Sequence, residues 1–365
     1  MIRILHVISD TNIGGAGRQL LNLLKGLDKS IFEIMVVVPQ NAKLMEHLDE
    51  IDIEHVEAPH LAEKSFSIRA IWHLYKIIKS FKPDVVHTHA ALSARIAARI
   101  YKRCKIIYTR HCAFPLTRRQ KNLKWAVRAA EWILGGLTVA VSTAAKDKLI
   151  QQGVSEKKIV VVNNGINTSL YKYDEAKRRV TRNELNISES TFCVGHVGRI
   201  EQEKNHLFLM EVFSAIRTQK NSVLVIVGSG SLEEEIVARA RKLGITNDVL
   251  LLGQRSDLNR LYQSFDILIM PSTAEGFGLA AVEAQCSGLG CILSEHFPKI
   301  VKCSDSVKFL PLGDAKLWAK EALNLPSQNR HDGYVNVIKS KLDAQTMCKQ
   351  MEEIYKEGYR LKAGS

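Results

Sequence analysis

The sequence predicts an α/β fold of two doubly wound, Rossmann-like parallel sheets facing each other across a cleft. Three observations predict it. Short β-branched runs alternate with helical stretches along the whole chain, which is the pattern of βαβ units. With 365 residues the chain is long enough for two or three cores. The alternation is interrupted once, at 165–190, where NNGINTSLY gives way to the polar stretch DEAKRRVTRNELNISES before a new apolar strand begins.

In the first half, strands are read at 2–8 (IRILHVI), 33–38, 84–88 (DVVHT), 106–109 and 137–141 (LTVAV). Helices at 16–27, 67–80, 91–103, 119–134 and 143–151 fill the gaps. In the second half, strands are read at 191–197, 223–227 (VLVIV), 249–252, 266–270 (DILIM), 290–293 and 307–310. Helices are expected at 205–219, 231–243, 279–287, 314–324 and 343–360. The expected division is an N-terminal domain at 1–168, a linker at 169–190, a C-terminal domain at 191–342 and a final helix within 343–365.

Composition narrows the classes further. Hydrophobic residues at 46% and charged ones at 24% are ordinary for a globular protein and argue against disorder. No apolar run approaches the ~18 residues of a membrane span, and the first residues read as a strand rather than a signal peptide, so a cytoplasmic location is expected. The seven cysteines lie far apart without a Cys-x-x-Cys spacing, which speaks against a disulfide framework or a zinc site. The net charge of +13 is uneven: residues 1–175 carry +10 of it, and between Asp84 and Glu131 eleven basic residues, from Arg95 to Arg128, meet no acidic one. Such a field draws anions.

In doubly wound sheets, ligands bind at the carboxyl ends of strands, so residues directly after strands carry most weight. Strand 2–8 runs into Gly14, Gly15, Gly17 and Arg18, where glycine lets backbone N–H groups approach an anion. The spacing is G-G-x-G-R and not the dinucleotide fingerprint. Strand 191–197 runs into Gly198-Arg199 and then Lys204, a planar fork and a point charge that together suit a diphosphate. Strand 266–270 leads to Glu275-Gly276-Phe277-Gly278-Leu279 and a helix carrying Glu283. The glycine loop offers N–H groups at a helix start, and the two carboxylates can accept paired hydroxyls of a sugar or ribose. Val227-Gly228-Ser229-Gly230-Ser231 reads either as a nucleotide-contacting turn or as a plain turn with Ser231 as N-cap.

Taken in order, G-G-x-G-R, His89, His111, Ser142, Asn164-Gly165-Ile166, G-R-x-x-x-E-K-N, V-G-S-G and E-G-F-G-L-x-x-x-E span nearly the whole chain. The set resembles the retaining glycosyltransferases of family 4, which have the GT-B fold. The resemblance implies that the last helix crosses back to the N-domain, which would take the acceptor. It also implies that Arg199 and Lys204 hold a donor diphosphate with help from the Gly15 backbone. Glu275 and the amides of Gly276, Phe277, Gly278 and Leu279 would bind the transferred sugar, and Glu283 the ribose. Gly228 and Gly230 would line the nucleotide pocket. His111 would sit beside the anomeric centre, with Arg18 and His89 on the acceptor side. Two departures stand out: Asn167 replaces the usual Asp, and His296-Phe297-Pro298-Lys299 replaces a Gly-Gly-x-x-Glu turn. The stretch from Glu283 to Ser294 is similar to branches serving capsule or exopolysaccharide synthesis.

These readings set the expected chemistry. The partners are a nucleotide sugar, UDP-linked on family habit, and a glycan or lipid-linked acceptor. No Asp-x-Asp occurs in the chain, so Arg199, Lys204 and backbone dipoles are expected to stabilise the leaving diphosphate, with no metal and no other cofactor. No carboxylate can be nominated as a covalent nucleophile. The residues from Arg118 to Trp132 read as an amphipathic helix with Trp125 and Trp132 seven apart on one face. That face either docks the Arg95–Arg128 region peripherally on anionic lipid, or its tryptophans are core. Two rivals remain. A GT-B nucleotide-sugar 2-epimerase would share the fold; a basic nucleic-acid-binding protein would explain the charge but not the glycine-and-carboxylate motifs.

Overall fold

The computed structural model describes residues 1–11, 14–61, 66–89, 91–111, 124–326 and 328–363, with side chains as far as Glu357. The chain forms two compact units: Met1–Gly165 with Ala344–Ser365, and Ile166–Asp343.

The first unit contains β1 (Ile2–Ile8), α1 (Gly15–Gly26), β2 (Phe32–Pro39), α2 (Leu44–Asp49), β3 (Glu54–Ala58), α3 (Ile68–Phe81) and β4 (Val85–His89). It continues with α4 (Leu92–Tyr101), β5 (Lys105–Arg110), α5 (Lys124–Leu134), β6 (Leu137–Ala140), α6 (Thr143–Gln151) and β7 (Ile159–Val161). Its strands form one parallel sheet in the order β3-β2-β1-β4-β5-β6-β7. Successive side chains of a strand point to opposite faces, and here both faces are covered. Ile2, Ile4 and Ile8 of β1 pack with Leu20, Leu23 and Leu24 of α1. Leu5 and Val7 pack with Ile71 and Leu74 of α3 and Ala94 and Ala98 of α4.

The second unit contains α7 (Thr168–Tyr171), α8 (Glu175–Glu184), β8 (Phe192–Val197), α9 (His206–Arg217), β9 (Ser222–Val227), α10 (Glu233–Lys242) and β10 (Val249–Leu251). It is completed by α11 (Leu258–Ser264), β11 (Ile267–Met270), α12 (Leu279–Cys286), β12 (Gly290–Ser294), β13 (Val307–Leu310), α13 (Ala315–Leu323) and α14 (Asp332–Lys339). Its parallel sheet has the order β10-β9-β8-β11-β12-β13. The last helix, α15 (Ala344–Ala363), belongs to the first unit, where Met347, Met351 and Tyr355 join the core beside α1. It lies so close to α1 that a Cβ on Gly26 would stand 2.4 Å from the Cys348 sulfur.

The stretch at 169–190 is not a linker. Its α8 is stapled to the second sheet by arginines that have left water. Arg182, fully buried, donates to the carbonyls of Ser264 at 2.8 Å and Ser188 at 2.6 Å, and reaches Asp266 at 3.4 Å. Arg178 pairs with the other Asp266 oxygen at 2.6 Å, and the Cys193 amide donates to Asp266 at 2.7 Å. A buried guanidinium is tolerated only when paired and hydrogen-bonded. The charged composition that suggested a linker therefore reports a polar staple.

Candidate active site

In the second sheet β8 and β11 are neighbours although they are first and fourth along that unit, so the loops at their carboxyl ends diverge to opposite sides. That is the switch point where α/β sheets bind ligands. Buried His196 of β8 donates from Nδ1 to the Ile269 carbonyl of β11 at 2.8 Å. Beyond the strand ends, the Thr273 amide donates to the Glu203 carbonyl at 2.8 Å and the Asn205 side chain to the Pro271 carbonyl at 3.3 Å. These ties hold the two loops side by side. The result is a shielded ion pair: the Lys204 ammonium contacts Glu275 Oε1, with the side chains 15% and 8% exposed. Ser272 donates its hydroxyl to the same oxygen at 2.9 Å. Arg199, on the same loop as Lys204, points to solvent, 65% exposed, and pairs with Glu203 at 2.7 Å.

Gly278 is the N-cap of α12 at φ 93°, a conformation that favours glycine, and a Cβ there would meet the Phe297 ring at 2.5 Å. The His296–Lys299 turn, noted above as a departure, thus places Phe297 against the start of α12. Phe277 is buried, while Gly276 and Leu279 are half-buried beside it. Glu283, one turn into α12, is buried and accepts from the Tyr262 hydroxyl at 2.9 Å. The structure therefore brings Lys204 and Glu275 into contact, leaves Arg199 at the rim of the same loop, and sinks Glu283 into the unit.

The Val227–Ser231 turn is occupied by protein contacts. The Gly228 amide donates to the Gly253 carbonyl at 2.8 Å, the Gly230 amide to Glu233 at 3.0 Å and the Ser231 hydroxyl to Glu201 at 2.8 Å. Ser231 is not an N-cap; Leu232 stands at that position of α10. A Cβ on Gly228 would lie 1.9 Å from the Gly198 carbonyl, and one on Gly230 2.2 Å from that of Ile200. Both glycines let the loop carrying Arg199 lie directly on β9's turn.

The first sheet has its own switch point, between β1 and β4. Gly14 caps α1, Gly15 opens it with empty space where a Cβ would go, and Arg18 follows half-buried. Beneath lie four imidazoles. The β1–β4 register sets His6 beside His87 and Ile8 beside His89, so His6, His87 and His89 share one face of the sheet. His6 Nδ1 is 3.1 Å from His89 Nε2, and His89 Nδ1 is 3.1 Å from His111 Nε2. His87 bonds the Tyr355 hydroxyl at 2.6 Å and the Thr109 hydroxyl at 2.7 Å. Burial disfavours the charged form and holds the His6 ring at about 3 and His111 at about 4, with His87 and His89 also well below the usual range.

Three expectations need correction here. His89 does not face an acceptor directly: it is buried, both nitrogens are engaged by other imidazoles, and only through His111 does it reach outward. Arg95 is no part of a basic face, because it is buried and paired with Glu131 at 2.6 Å, with its ring-stacked guanidinium over Tyr108. The tryptophans of α5 are not core: Trp125 is 72% and Trp132 78% exposed. Arg118, Arg119 and Lys121 lie outside the described residues.

Sequence reasoning passed over His6, His87, Tyr262 and Ser272. The alternation His87-Thr88-His89 on one strand was a signal for a shared face, but nothing local announced His6 as their neighbour. Among the described residues His6, His87 and His89 could bring ligand atoms within 4.8 Å of one another. The hydrogen bonds above already occupy both nitrogens of His87 and of His89, which leaves His6 Nε2 as the one uncommitted atom and does not fit a metal site.

Residues 13–170 match the family described as Glycosyltransferase Family 4, and residues 177–302 match Glycosyl transferases group 1. The chain is 29% identical to the UDP-Gal:alpha-D-GlcNAc-diphosphoundecaprenol alpha-1,3-galactosyltransferase of Escherichia coli, covering 80% of this chain and 79% of that protein. It is 23% identical to the capsular polysaccharide biosynthesis glycosyltransferase CapH of Staphylococcus aureus, over 97% and 99% of the two chains. The crystal structure of Anabaena HepE in complex with UDP and glucose superposes with a TM-score of 0.82 at 20% identity, covering 97% of this chain and 99% of that one. That likeness shows the GT-B fold.

Proposed function

The chain belongs to glycosyltransferase family 4 and is an enzyme of polysaccharide synthesis, and from that premise we propose that it moves a hexose from a UDP-sugar to a lipid-linked sugar, with retention and without a divalent metal. The observation that carries this reading is the Lys204–Glu275 pair at the switch point of the second sheet.

A resting ion pair keeps both side chains in place before a ligand arrives. When sugar hydroxyls donate to Glu275, Lys204 is released toward the diphosphate, where an ammonium stabilises charge developing on the leaving group. Arg199 adds a second cation from the same loop. Retention follows by same-face attack, in which the departing phosphate takes the acceptor's proton; Glu275 is engaged with hydroxyls and is not assigned as nucleophile. UDP is supported by the donor in the name of the Escherichia coli relative and by the UDP bound to HepE. The relatives named here are glycosyltransferases, which favours neither the epimerase nor the nucleic-acid alternative.

The acceptor reading extends to the membrane surface. No helix of the described residues is long and apolar enough to cross a bilayer. Helix α5 instead turns Trp125, Trp132 and Ile133 outward beside Lys124 and Arg128, while Glu131 is turned inward by Arg95. Exposed indoles flanked by cations suit an anionic lipid surface, on which the acceptor's lipid would reside. Cytoplasmic, peripheral attachment is the corresponding location.

A thermal-shift panel of UDP, GDP, ADP and their sugars tests the donor. A ligand at 100 times its Kd adds about 2.7 kcal/mol, so UDP and its sugar should raise the midpoint and the other bases should not. A panel with no shift for any nucleotide would overturn the donor assignment.

A further inference from the structure

Where Phe192, Ile267 and Gly290 open β8, β11 and β12, the second unit holds a cavity of about 410 Å3. These are the amino ends of the strands, opposite to the ends that carry Lys204 and Glu275. A cavity of this size suits a small organic ligand.

Its wall carries three cations, Arg178, Lys220 and Arg330, against one carboxylate, Asp266. Arg182, behind the wall, draws on the same carboxylate at 3.4 Å, as Arg178 does at 2.6 Å. Glu189 stands farther off, 3.9 Å from Arg178 and 3.7 Å from Arg182, with its side chain 59% exposed. Lys220 and Arg330 make no ion pair among the described residues. The Arg330 guanidinium donates to the carbonyls of Ser287, Gln263, Phe265 and Tyr262, which satisfies its hydrogen bonds and leaves its charge. Four cations thus face two carboxylates, and two positive charges lack a counter-charge. Burial, and after it the Arg178 charge, push the Arg330 guanidinium down to about 10, the direction such a surplus dictates.

Gln328 lines the same cavity, and its Nε2 is shielded from water without a partner among the described residues. An unmet buried donor costs stability until an acceptor reaches it. A surplus of two charges beside an amide donor calls for a dianion, and a phosphate monoester approaches −2 at neutral pH. Phe192, Leu323 and Leu325 line other parts of the cavity, so its walls also offer apolar surface to a carbon body.

We propose that the cavity at the amino ends of β8, β11 and β12 is a binding site for a small phosphate monoester with an apolar body. The site is separate from the one assigned to sugar transfer and does not rest on that reading. The Lys220 ammonium and the Gln328 amide are the direct partners of the phosphate. Arg178 and Arg330, whose donors are engaged by carbonyls and Asp266, act through their field.

Calorimetric titration of the full chain with phenyl phosphate tests this, and saturable binding is expected. Lys220→Glu, at an exposed side chain, should weaken it by about tenfold to a hundredfold. Arg199→Ala combined with Lys204→Ala, at the other ends of the strands, should leave it unchanged. The reverse pattern would put the ester at the transfer site and overturn the proposal, as would the absence of saturable binding. Inorganic phosphate should bind more weakly by about tenfold or more, because it has no apolar body to bury; equal affinity would overturn the ester assignment. Urea unfolding reads the surplus charge itself. Gln328→Glu supplies a fixed anion, so its midpoint should rise and phenyl phosphate should raise it no further. A midpoint below wild type would show that no surplus exists. In Asp266→Ala the surplus grows, and phenyl phosphate should restore part of the lost midpoint where sodium chloride of equal ionic strength does not. Equal recovery by both would reduce the effect to screening and defeat the proposal. Should Asp266→Ala not fold, the Lys220→Glu and Gln328→Glu measurements still decide.

Discussion

Lys204 and Glu275, 71 residues apart, meet as a shielded ion pair between the carboxyl ends of two neighbouring strands of the second sheet. Each is held by the other, and on the proposed function breaking the pair should affect the sugar half of a donor and spare the nucleotide half.

Glu275→Gln keeps the size of the side chain and removes the charge. We expect kcat/KM to fall by about 100-fold or more, the range for a group acting on the transition state. The midpoint shift from UDP alone should persist, while the extra shift from the UDP-sugar should vanish. Equal shifts before and after substitution would remove Glu275 from the sugar site.

Transfer should continue in excess chelator, because cations of the chain are assigned the work of a metal at the leaving diphosphate. A rate that collapses with chelator and returns with Mg²⁺ or Mn²⁺ would contradict this.

Replacing Trp125 and Trp132 together by Ser should abolish co-sedimentation with anionic vesicles, since each exposed indole contributes roughly 1.5–3 kcal/mol when its apolar area is removed from water. The folded fraction should not change, as neither ring is in the core. Binding that survives the double substitution, or that is indifferent to lipid charge, argues for a different surface.

Asp266 anchors α8 through Arg178 and Arg182. Asp266→Ala leaves the fully buried Arg182 guanidinium only the more exposed carboxylate of Glu189, at 3.7 Å, as a counter-charge. The loss should approach that of a broken buried pair, about 3–5 kcal/mol. Urea unfolding measures it, and a midpoint unchanged from wild type would show that the staple carries no stability.

Stability should fall as pH drops below neutrality. His6 has a folded-state pKa of about 3 against 6.5 when free, so the unfolded chain binds the proton first. Its contribution is intact above pH 6.5 and is lost as the pH falls from there toward 3. At pH 5 the loss is about 2 kcal/mol for this one residue, and the neighbouring imidazoles add to it. Urea midpoints at pH 7.5, 6 and 5 should decline in that order, and less steeply in His6→Asn.

Much of the fold was legible because its signals are local. A β-branched run of five to eight residues announces β1, β8 or β9 whatever surrounds it. Short IVV at β7 and polar α8 carried no such signal, because three residues make no period and Arg178 and Arg182 of α8 leave water only through partners distant in sequence, Asp266 and the Ser264 carbonyl among them. The site divided in the same way. Glycines and charges directly after strands located Arg199, Lys204, Glu275 and Glu283, since strand ends are where such sheets bind ligands. Their actual partners could not be read there: Arg199 turned outward to Glu203, and the amides of Gly228, Gly230 and Ser231 were already committed.

By itself, the sequence determined the two parallel sheets and which residues stand at their strand ends, because apolar period and glycine position act over a few residues. Only the tertiary structure decided what each buried polar atom faces. The β1–β4 register brings His6 to His89 across 83 residues, and α15 returns Tyr355 to His87 across 268. Hydrogen bonding between side chains reaches about 3 Å, so it depends on which strands become neighbours, and no local pattern encodes that.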